Sequence, residues 1–412
     1  MIKASRGTHD FLPEQTETIR WIEDCCTNIF HRFNFKEIKT PIFEETSLFT
    51  HCVGDSTEIV QKEMYTFLDK GNRSLTLRPE GTASVVRSCI QHAMLDSIQK
   101  LFYIGPFFRY ERPQAGRFRQ FHQVGVEYLG QSTALADVEI ISLAACLFNA
   151  LGISGLTIHI NSLGSAKSRK AILNCISTFF EPYLKDLDSK SLSLLKTNPL
   201  RILDSKNKQI QKILENFKGF KNYLDHESIT HFEHVLSSLE KIDISYHIDP
   251  LLVRGLDYYT HTTFELKSDE LGAQSTLCGG GRYDHLVEKL GGKPTPAVGF
   301  AFGLERLLSL IKTKSLNGAN KKLTLFVPLG EKAKEYCLKL VNKCRAEGFI
   351  CDVMWDDAKI VKHLKFGNKI NANKAIIIGD NELKENTFVS KEFDTGHQET
   401  LPISKLYFIL NK

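Results

Sequence analysis

Residues 107–127 read FFRYERPQAGRFRQFHQVGVE, with apolar and polar side chains alternating on both sides of one break at 113–116. This alternation predicts a long antiparallel hairpin over residues 100–130 with a polar, basic tip. Because side chains on a strand point alternately to opposite faces, Arg109 and Glu111 are expected to share one face of the first strand.

On the return strand, Gln123 and Glu127 share a face and flank Gly125, which has no side chain. This pattern predicts room for a small ligand between two polar walls. Arg109, on the first strand of the same hairpin, could bind a phosphate or carboxylate group of that ligand with the N–H donors of its guanidinium group. The alternative is an exposed hairpin face whose polar side chains are only solvated.

The segments around the hairpin alternate between helical and extended patterns. Apolar residues at helical spacing predict helices at 14–33, from near Pro79 through Ile90, at 136–151 and at 304–311. Extended segments are predicted at 41–45 and 156–160, and the body of the domain resumes with 246–266 and a short apolar segment at 297–302.

The second half of the chain contains two further compositional units. Residues 165–225 are rich in lysine and lack strand signals, so we expect an inserted helical module. The polar stretch 313–321 is the best linker in the sequence. Strands then alternate with helices, which predicts a small α/β domain with a largely parallel sheet. We expect one domain over 1–320 and a second over 321–412.

The formal charge of the 412-residue chain is +5, and its distribution is uneven. Residues 165–225 hold 12 Lys and Arg against 6 Asp and Glu, and residues 321–412 hold 16 against 12, so the remaining body is mildly acidic. Two basic segments on an acidic body suit a polyanion bound by peripheral modules. Ordinary solvated lysine-rich surface is the alternative. With 42% hydrophobic residues, the composition excludes a disordered chain.

The cysteines and the N-terminal segment bear on the cellular compartment. The ten cysteines form no CxxC pair and no Cys/His cluster with zinc spacing, so reduced structural thiols are expected. The N-terminal segment lacks the apolar stretch of a signal peptide, and no run of about 18 apolar residues occurs. We therefore expect a cytoplasmic protein without a membrane span.

The segment RPEGT, residues 78–82, lies where a predicted strand meets a helix start, and backbone N–H groups are free at such a point. Thr82 is expected to cap the helix while Glu80 faces outwards, towards an ammonium group. The alternative is a plain capped helix start without a ligand.

Three other segments contain candidate ligand-binding residues. Arg254, in an apolar setting, either forms an ion pair with a residue such as Asp257 or binds an anionic ligand. Arg306 lies in the first turn of a helix, which is unfavourable for a cation unless a triphosphate or a carboxylate such as Glu305 is near. Three consecutive glycines at 279–281 indicate a close approach of backbone or ligand.

Together these residues offer arginines for phosphates and a Glu/Gln pair for a small polar solute, with no nucleophile and no metal-ligating cluster. This combination predicts ATP-dependent activation of a small carboxylate by positioning and electrostatics.

With the residues 107–127, the segments LVRGLDYYTHTTFE (252–265), GGGRYDHLV (279–287) and AVGFAFGLERL (297–307) carry a family resemblance. The chain resembles the histidyl-tRNA synthetases, which are class II aminoacyl-tRNA synthetases. The resemblance implies an α+β fold, with a catalytic domain built on an antiparallel sheet flanked by helices, a helical insertion and a C-terminal α/β anticodon-binding domain.

The resemblance also implies roles for individual residues. For ATP, Arg109 would bind the α-phosphate, Arg117 and Arg306 would bind the terminal phosphates, and Glu111 would belong to the same site. For histidine, Glu80, Thr82 and Gln123 would hold the α-amino group, Glu127 and Tyr259 would hydrogen-bond the imidazole, and Tyr258 would lie beside them. Arg254 would bridge the histidine carboxylate and the α-phosphate, and with Arg109 it forms the implied catalytic pair.

The resemblance further implies Mg²⁺ accompanying ATP, a homodimer, and tRNA(His) as the partner. Arg112 and Gln114 would meet the acceptor end of the tRNA, the insertion would bind its acceptor arm, and residues 323–412 would bind the anticodon. An alternative is a non-catalytic, synthetase-like regulatory subunit of ATP phosphoribosyltransferase. A synthetase of other specificity would need different residues at 127 and 254–259.

Overall fold

The computed structural model describes residues 2–54, 57–114, 116–311 and 322–411. The chain divides into two compact units, Met1–Ser315 and Leu316–Lys412. The predicted linker at 313–321 lies outside the described residues. No helix among the described ranges is both long and apolar enough to cross a membrane.

The strands of the first unit form one large and one small sheet. They are β1 (Lys36–Glu37), β2 (Phe43–Glu45), β3 (Tyr65–Leu68), β4 (Ser74–Leu77), β5 (Gln99–Phe108), β6 (Gln120–Leu129), β7 (Leu156–Ser162), β8 (His247–Ile248), β9 (Thr260–Ser268), β10 (Thr276–Arg282) and β11 (Ala297–Gly303). The large sheet has the order β1-β5-β6-β11-β10-β9-β7-β8, and the small sheet has the order β2-β4-β3. In the large sheet only the outermost pairs, β1 with β5 and β7 with β8, are parallel.

The predicted hairpin is formed by β5 and β6, which pair from Gln99 with Leu129 to Phe108 with Gln120. Because the paired strands end at Phe108, Arg109 and Glu111 lie in the connecting loop, and the prediction that they share a strand face is wrong. The alternation itself holds within the strands. Phe102 packs into the core on one face of the sheet, and Tyr103 packs into the core on the other.

The helices of the first unit cover both faces of the large sheet. They are α1 (Pro13–Arg32), α2 (Thr46–Val53), α3 (Thr82–Gln91), α4 (Ala134–Ala150), α5 (Ala166–Phe180), α6 (Ser189–Thr197), α7 (Lys208–Leu214), α8 (His226–Lys241), α9 (Leu286–Lys289) and α10 (Leu304–Leu310). Apolar residues of α1, α4 and α8 share one core with the sheet. Residues of α2, α3 and the insertion share the second core.

The predicted helical insertion contains α5, α6 and α7 and no strand within 165–225, all of which is described. Its helices begin with side-chain caps, Ser165 for α5, Asp188 for α6 and Asn207 for α7. The fully buried side chains of Ile172 and Ile176 lie in the core that also contains residues of α3. The insertion is therefore packed against the body of the unit.

The second unit is a five-stranded sheet with helices. Its elements are β12 (Leu323–Pro328), α11 (Glu331–Ala346), β13 (Ile350–Val353), α12 (Ile360–Lys369), β14 (Lys374–Ile378), α13 (Asp380–Glu385), β15 (Thr387–Glu392), β16 (Gln398–Pro402) and α14 (Leu406–Asn411). The strand order is β13-β12-β14-β15-β16. Strand β12 pairs in parallel with β13 and β14, whereas β15 pairs in antiparallel with β14 and β16.

The predicted largely parallel sheet is therefore correct only for its first half. Strands β15 and β16 form a hairpin closed by the turn around Gly396, and β15 returns antiparallel to β14 after the short helix α13.

Candidate active site

A cavity of about 450 Å³ opens beside β6, β9, β10 and β11 and the loop between β5 and β6. Six predicted ligand residues line this cavity, namely Arg109, Glu111, Arg117, Gln123, Arg254 and Arg306. Five other residues that the resemblance implies as histidine contacts are buried and do not line this cavity. They are Glu80, Thr82, Glu127, Tyr258 and Tyr259. The site thus consists of an open, charged cavity, here called the outer cavity, and a cluster of buried polar and tyrosine side chains, here called the inner pocket.

The hairpin loop holds two arginines around one carboxylate. The Arg117 guanidinium donates to Oε2 of Glu111 at 3.2 Å, and Nη1 of Arg109 lies 3.8 Å from Oε1 of the same carboxylate. Nε of Arg109 also donates to the carbonyl of Pro79 at 2.8 Å. These contacts orient two guanidinium groups at the cavity wall before any ligand is bound.

Arg306, at the start of α10, donates from Nη1 to the carbonyl of Thr276 at 2.6 Å. Burial lowers the pKa of Arg306, and the nearby Arg117 lowers it further. The adjacent carboxylate of Glu305 accepts hydrogen bonds from the backbone N–H of His122 at 2.8 and 3.0 Å. The Glu305 carboxylate is thus committed to the β6 backbone.

Arg254 forms an ion pair with Glu265 on β9, and the second oxygen of Glu265 accepts from the hydroxyl of Thr276 at 2.7 Å. The predicted partner Asp257 is wrong, because the Asp257 carboxylate instead accepts from the Asn198 amide at 3.0 Å. Burial lowers the pKa of Arg254, but the Glu265 carboxylate together with Tyr259 and Cys278 more than compensates, so the pKa is raised.

The Arg254 guanidinium passes directly over Gly279 on β10. A Cβ atom added at Gly279 would fall within 3.0 Å of three guanidinium atoms, so the first glycine of the triplet allows the arginine to reach its position. The predicted close approach at 279–281 is confirmed for this residue, and the approaching group is a side chain.

Glu80 and Thr82 exchange the roles that local sequence predicts. The Glu80 carboxylate accepts from the backbone N–H groups of Thr82 at 2.9 Å and Ala83 at 2.8 Å, so Glu80 is the residue that caps α3. The Thr82 hydroxyl donates to Oε1 of Glu127 at 2.7 Å. The predicted Thr82 cap is wrong because α3 begins at Thr82, which places the Glu80 side chain against its first N–H groups.

Glu127 is the most protected acid of the inner pocket, with 2% of its surface exposed. Besides the Thr82 hydroxyl, it accepts a hydrogen bond from the hydroxyl of Tyr283. Burial raises the pKa of Glu127 to about 8 even though both hydroxyl groups lower it. A ligand that donates a hydrogen bond to this carboxyl group or places a positive charge beside it would offset the cost of burying the ionised form.

Tyrosines enclose this acid. The rings of Tyr258 and Tyr259 lie 4.7 Å apart, and those of Tyr258 and Tyr283 lie 5.6 Å apart. Tyr103 lies over Gly125, where an added Cβ atom would clash with its ring and hydroxyl. The space predicted above Gly125 is therefore filled by this ring, and the Tyr103 hydroxyl is buried without a hydrogen-bond partner among the described residues.

Sequence reasoning assigned no role to Tyr103, Tyr283 or Glu265. The position of Tyr103 beside the site could have been predicted from the register of the hairpin, which pairs Tyr103 with Gly125. Glu265 follows Arg254 by eleven residues, and nothing in local spacing indicates that β9 returns it to the guanidinium.

Arg112 and Gln114 are exposed at the tip of the hairpin loop and do not line the cavity themselves. Gln114 exchanges backbone hydrogen bonds with Arg117 at 2.9 and 3.2 Å, which closes the tip. Within the described ranges, no group of three or more His, Cys, Asp or Glu side chains could hold a metal ion.

An antiparallel sheet that presents arginines from a hairpin loop and from a helix start around one cavity defines a class II aminoacyl-tRNA synthetase. The family model described as histidyl-tRNA synthetase matches residues 7–307, and the anticodon-binding domain model matches residues 324–412. The chain belongs to the histidyl-tRNA synthetase family. This confirms the resemblance and the predicted fold class.

Curated relatives and a solved structure extend along nearly the whole chain. A histidine–tRNA ligase of Thermosynechococcus vestitus is 45% identical over 98% of this chain and 95% of its own length. A histidine–tRNA ligase of Microcystis aeruginosa is 46% identical over 97% and 94%. The crystal structure of the apo Staphylococcus aureus histidyl-tRNA synthetase has a TM-score of 0.83 and 38% identity, with full coverage of both chains.

Proposed function

We propose that this protein is a histidine–tRNA ligase that activates L-histidine with ATP and transfers the histidyl group to the 3′ end of tRNA(His). The predicted enzyme class is confirmed by full-length relatives with this activity in their names. The observation that carries the proposal is that strand β6 contributes Gln123 to an arginine-lined cavity and Glu127 to a cluster of buried polar side chains. The cavity would bind an anion, and the buried cluster would bind a small hydrogen-bond donor.

In the outer cavity, Arg109 would bind the α-phosphate of ATP, and Arg117 and Arg306 would bind the terminal phosphates. Their support is the cavity geometry, in which Glu111 orients two of the guanidinium groups. A lowered Arg306 pKa means that the folded protein disfavours this buried charge, and a polyphosphate would compensate it.

In the inner pocket, the imidazole of histidine would donate a hydrogen bond to Glu127, with Tyr259 as its second polar contact and Tyr258 beside it. Glu80, Thr82 and Gln123 would hold the α-amino group. Two backbone N–H groups already occupy the Glu80 carboxylate, so its remaining lone pairs would accept from the ammonium group. A pocket with such paired polar groups rejects amino acids that cannot satisfy them.

Arg254 would bridge the two substrates, since it lines the cavity and lies next to Tyr258 and Tyr259 in sequence. A carboxylate oxygen of histidine attacks the α-phosphorus, the bond to the bridging oxygen breaks, and pyrophosphate leaves. Arg254 and Arg109 would stabilise the charge on the α-phosphate oxygens in the transition state. No protein nucleophile is required, because the substrate carboxylate supplies the attacking oxygen.

Mg²⁺ would enter as the complex with ATP. The phosphate oxygens and water would supply most of its coordination, as is usual for this ion.

For tRNA(His), the exposed Arg112 and Gln114 would contact the acceptor end and the insertion would bind the acceptor arm. The second domain, proposed over 321–412, would bind the anticodon. The excess of basic residues in both segments supports these assignments. The cytoplasmic location remains a prediction from the sequence.

A homodimer is proposed on the apolar surface of the small sheet. Ile42, Phe43, Phe67 and Leu68 are each between 43% and 65% exposed, and the rings of Phe43 and Phe67 lie 6.5 Å apart. Exposed aromatic side chains that contact each other, as Phe43 and Phe67 do, are typical of a subunit interface.

The alternative, a regulatory subunit of ATP phosphoribosyltransferase, is disfavoured because the chain retains the arginines of the cavity and an anticodon-binding domain. The test is histidine-dependent exchange of pyrophosphate into ATP, with purified protein, Mg²⁺ and each of the twenty amino acids in turn. Exchange with histidine alone supports the proposal. Its absence from a folded preparation would refute ligase activity, and retained histidine binding would then favour the regulatory reading.

A further inference from the structure

The outer cavity is not built by the sheet and hairpin loop alone. Asp204 and Lys206, which belong to the helical insertion, line it together with Arg254 and Arg306. The insertion was expected to act on tRNA, and its contribution to the wall of the nucleotide cavity is a separate structural fact.

The segment that presents these two residues is anchored on the loop that holds Arg254. Leu200 and Ile202 are 5% and 0% exposed and share a core with Val253. The Asn198 amide donates to Asp257 at 3.0 Å. The contacts place this segment beside the activation site without any rearrangement of the insertion.

The same segment is fixed on its other side by the start of α7. Asn207 caps that helix by accepting from the N–H of Gln209 at 2.9 Å, and its amide donates to Asp188 at 2.7 Å. Lys206 is therefore held between a buried turn and a capped helix, with its exposed side chain at the mouth of the cavity.

The charges of the cavity distinguish Lys206 from its neighbours. Arg117 is paired with Glu111, Arg254 with Glu265, and Lys267 lies 3.3 Å from Asp249. Lys206 makes no hydrogen bond or salt bridge with any residue in the described part of the chain, so its ammonium group is available to a ligand. Burial and Glu265 raise the pKa of the neighbouring Asp204, whereas Arg201 and Lys206 lower it, so Asp204 attracts the Lys206 ammonium group without forming an ion pair with it.

We propose that Lys206 is a phosphate-binding residue of the ATP site, so that the insertion forms part of the activation site. The proposal rests on the proposed function in that the polyphosphate is that of ATP. An ammonium group at the mouth, beyond Arg254 and Arg306, would contact the terminal phosphates, because the α-phosphate must lie at Arg254 for adenylate formation.

The test compares Lys206→Ala with Lys208→Ala, an exposed lysine two residues away that does not line the cavity. In tRNA-free pyrophosphate exchange, Lys206→Ala should raise the KM for ATP about tenfold, the effect of losing a charge-assisted hydrogen bond at a partly exposed site. The KM for histidine should not change. Lys206→Arg should restore most of the ATP affinity, and Lys208→Ala should behave as the parent protein.

Calorimetric titration gives a readout that does not depend on catalysis. Lys206→Ala should weaken binding of ATP and leave binding of AMP unchanged, since AMP lacks the terminal phosphates. Equal ATP affinity in variant and parent would overturn the proposal, as would a loss confined to the KM for tRNA in aminoacylation. If the parent protein binds ATP but shows no histidine-dependent exchange, the proposed ligase function fails, and the titration still decides the role of Lys206.

Discussion

Replacing Gly279 by alanine tests whether the position of Arg254 controls activation. The added Cβ atom would lie within 3.0 Å of the guanidinium, which must withdraw by about 1 Å to reach ordinary contact. The atoms that must move are at the end of a flexible side chain, so we expect a stability cost of only about 1 kcal/mol. A displacement of about 1 Å in a positioning group can lower the rate about 100-fold.

The assay is single-turnover formation of histidyl-adenylate, together with thermal unfolding of the same preparation. Gly255→Ala is the matched control, because a Cβ atom there meets only Arg201 at 3.4 Å. We expect a large loss of rate for Gly279→Ala with little change in Tm, and near-parent behaviour for the control. A Gly279→Ala rate within threefold of the parent would refute the reasoning, and equal losses in both variants would show that the effect is not specific to the guanidinium.

Three further predictions concern the buried acids and the exposed sheet. Asp137 is fully buried against Arg282 and His231, and these two groups lower its pKa despite burial. The contribution of Asp137 to the free energy of unfolding is therefore present above the ordinary aspartate pKa. It is lost as pH falls through the lowered pKa of the folded protein. Asp137→Asn should cost about 3–5 kcal/mol at pH 7 and flatten the acid limb in urea unfolding, and an unchanged limb would contradict this. The pKa of Glu127 is raised from 4.5 to about 8, so its contribution to stability is fully present below pH 4.5, declines as pH rises and is lost by about pH 8. Glu127→Gln should remove this decline in unfolding free energy while raising the KM for histidine at least about tenfold, whereas parallel pH curves for parent and variant would show that the acid does not titrate in this range. Phe67→Lys should convert the proposed dimer to a monomer in light scattering, and a variant of unchanged mass would place the interface elsewhere.

The hairpin shows which structural features local sequence predicts and which it does not. Its strands follow from alternation between residues 99 and 129, since period-two patterning is a local property. Strand pairing ends at Phe108, where Arg109 turns into loop contacts with Pro79 and Glu111. Pro79 is distant in sequence, and Glu111 lies outside the alternating pattern of the strand.

The candidate site shows the same division. Arg254 stood out as an arginine in an apolar segment, yet its partner Glu265 depends on the pairing of β9 with β10. Likewise, the Glu80 cap depends on the residue at which α3 begins, and helix ends are poorly specified by local patterning.

The sequence by itself determined the family, the types of side chain available for phosphate and amino-acid binding, and the presence of a basic helical insertion. Composition, residue spacing and sequence motifs are sufficient to predict these properties. Only the tertiary structure decided that Tyr103 fills the space over Gly125, that Glu265 orients Arg254, and that the insertion places Lys206 at the nucleotide cavity. Each of these joins residues distant along the chain, and such contacts arise from strand register and packing, which no local pattern encodes.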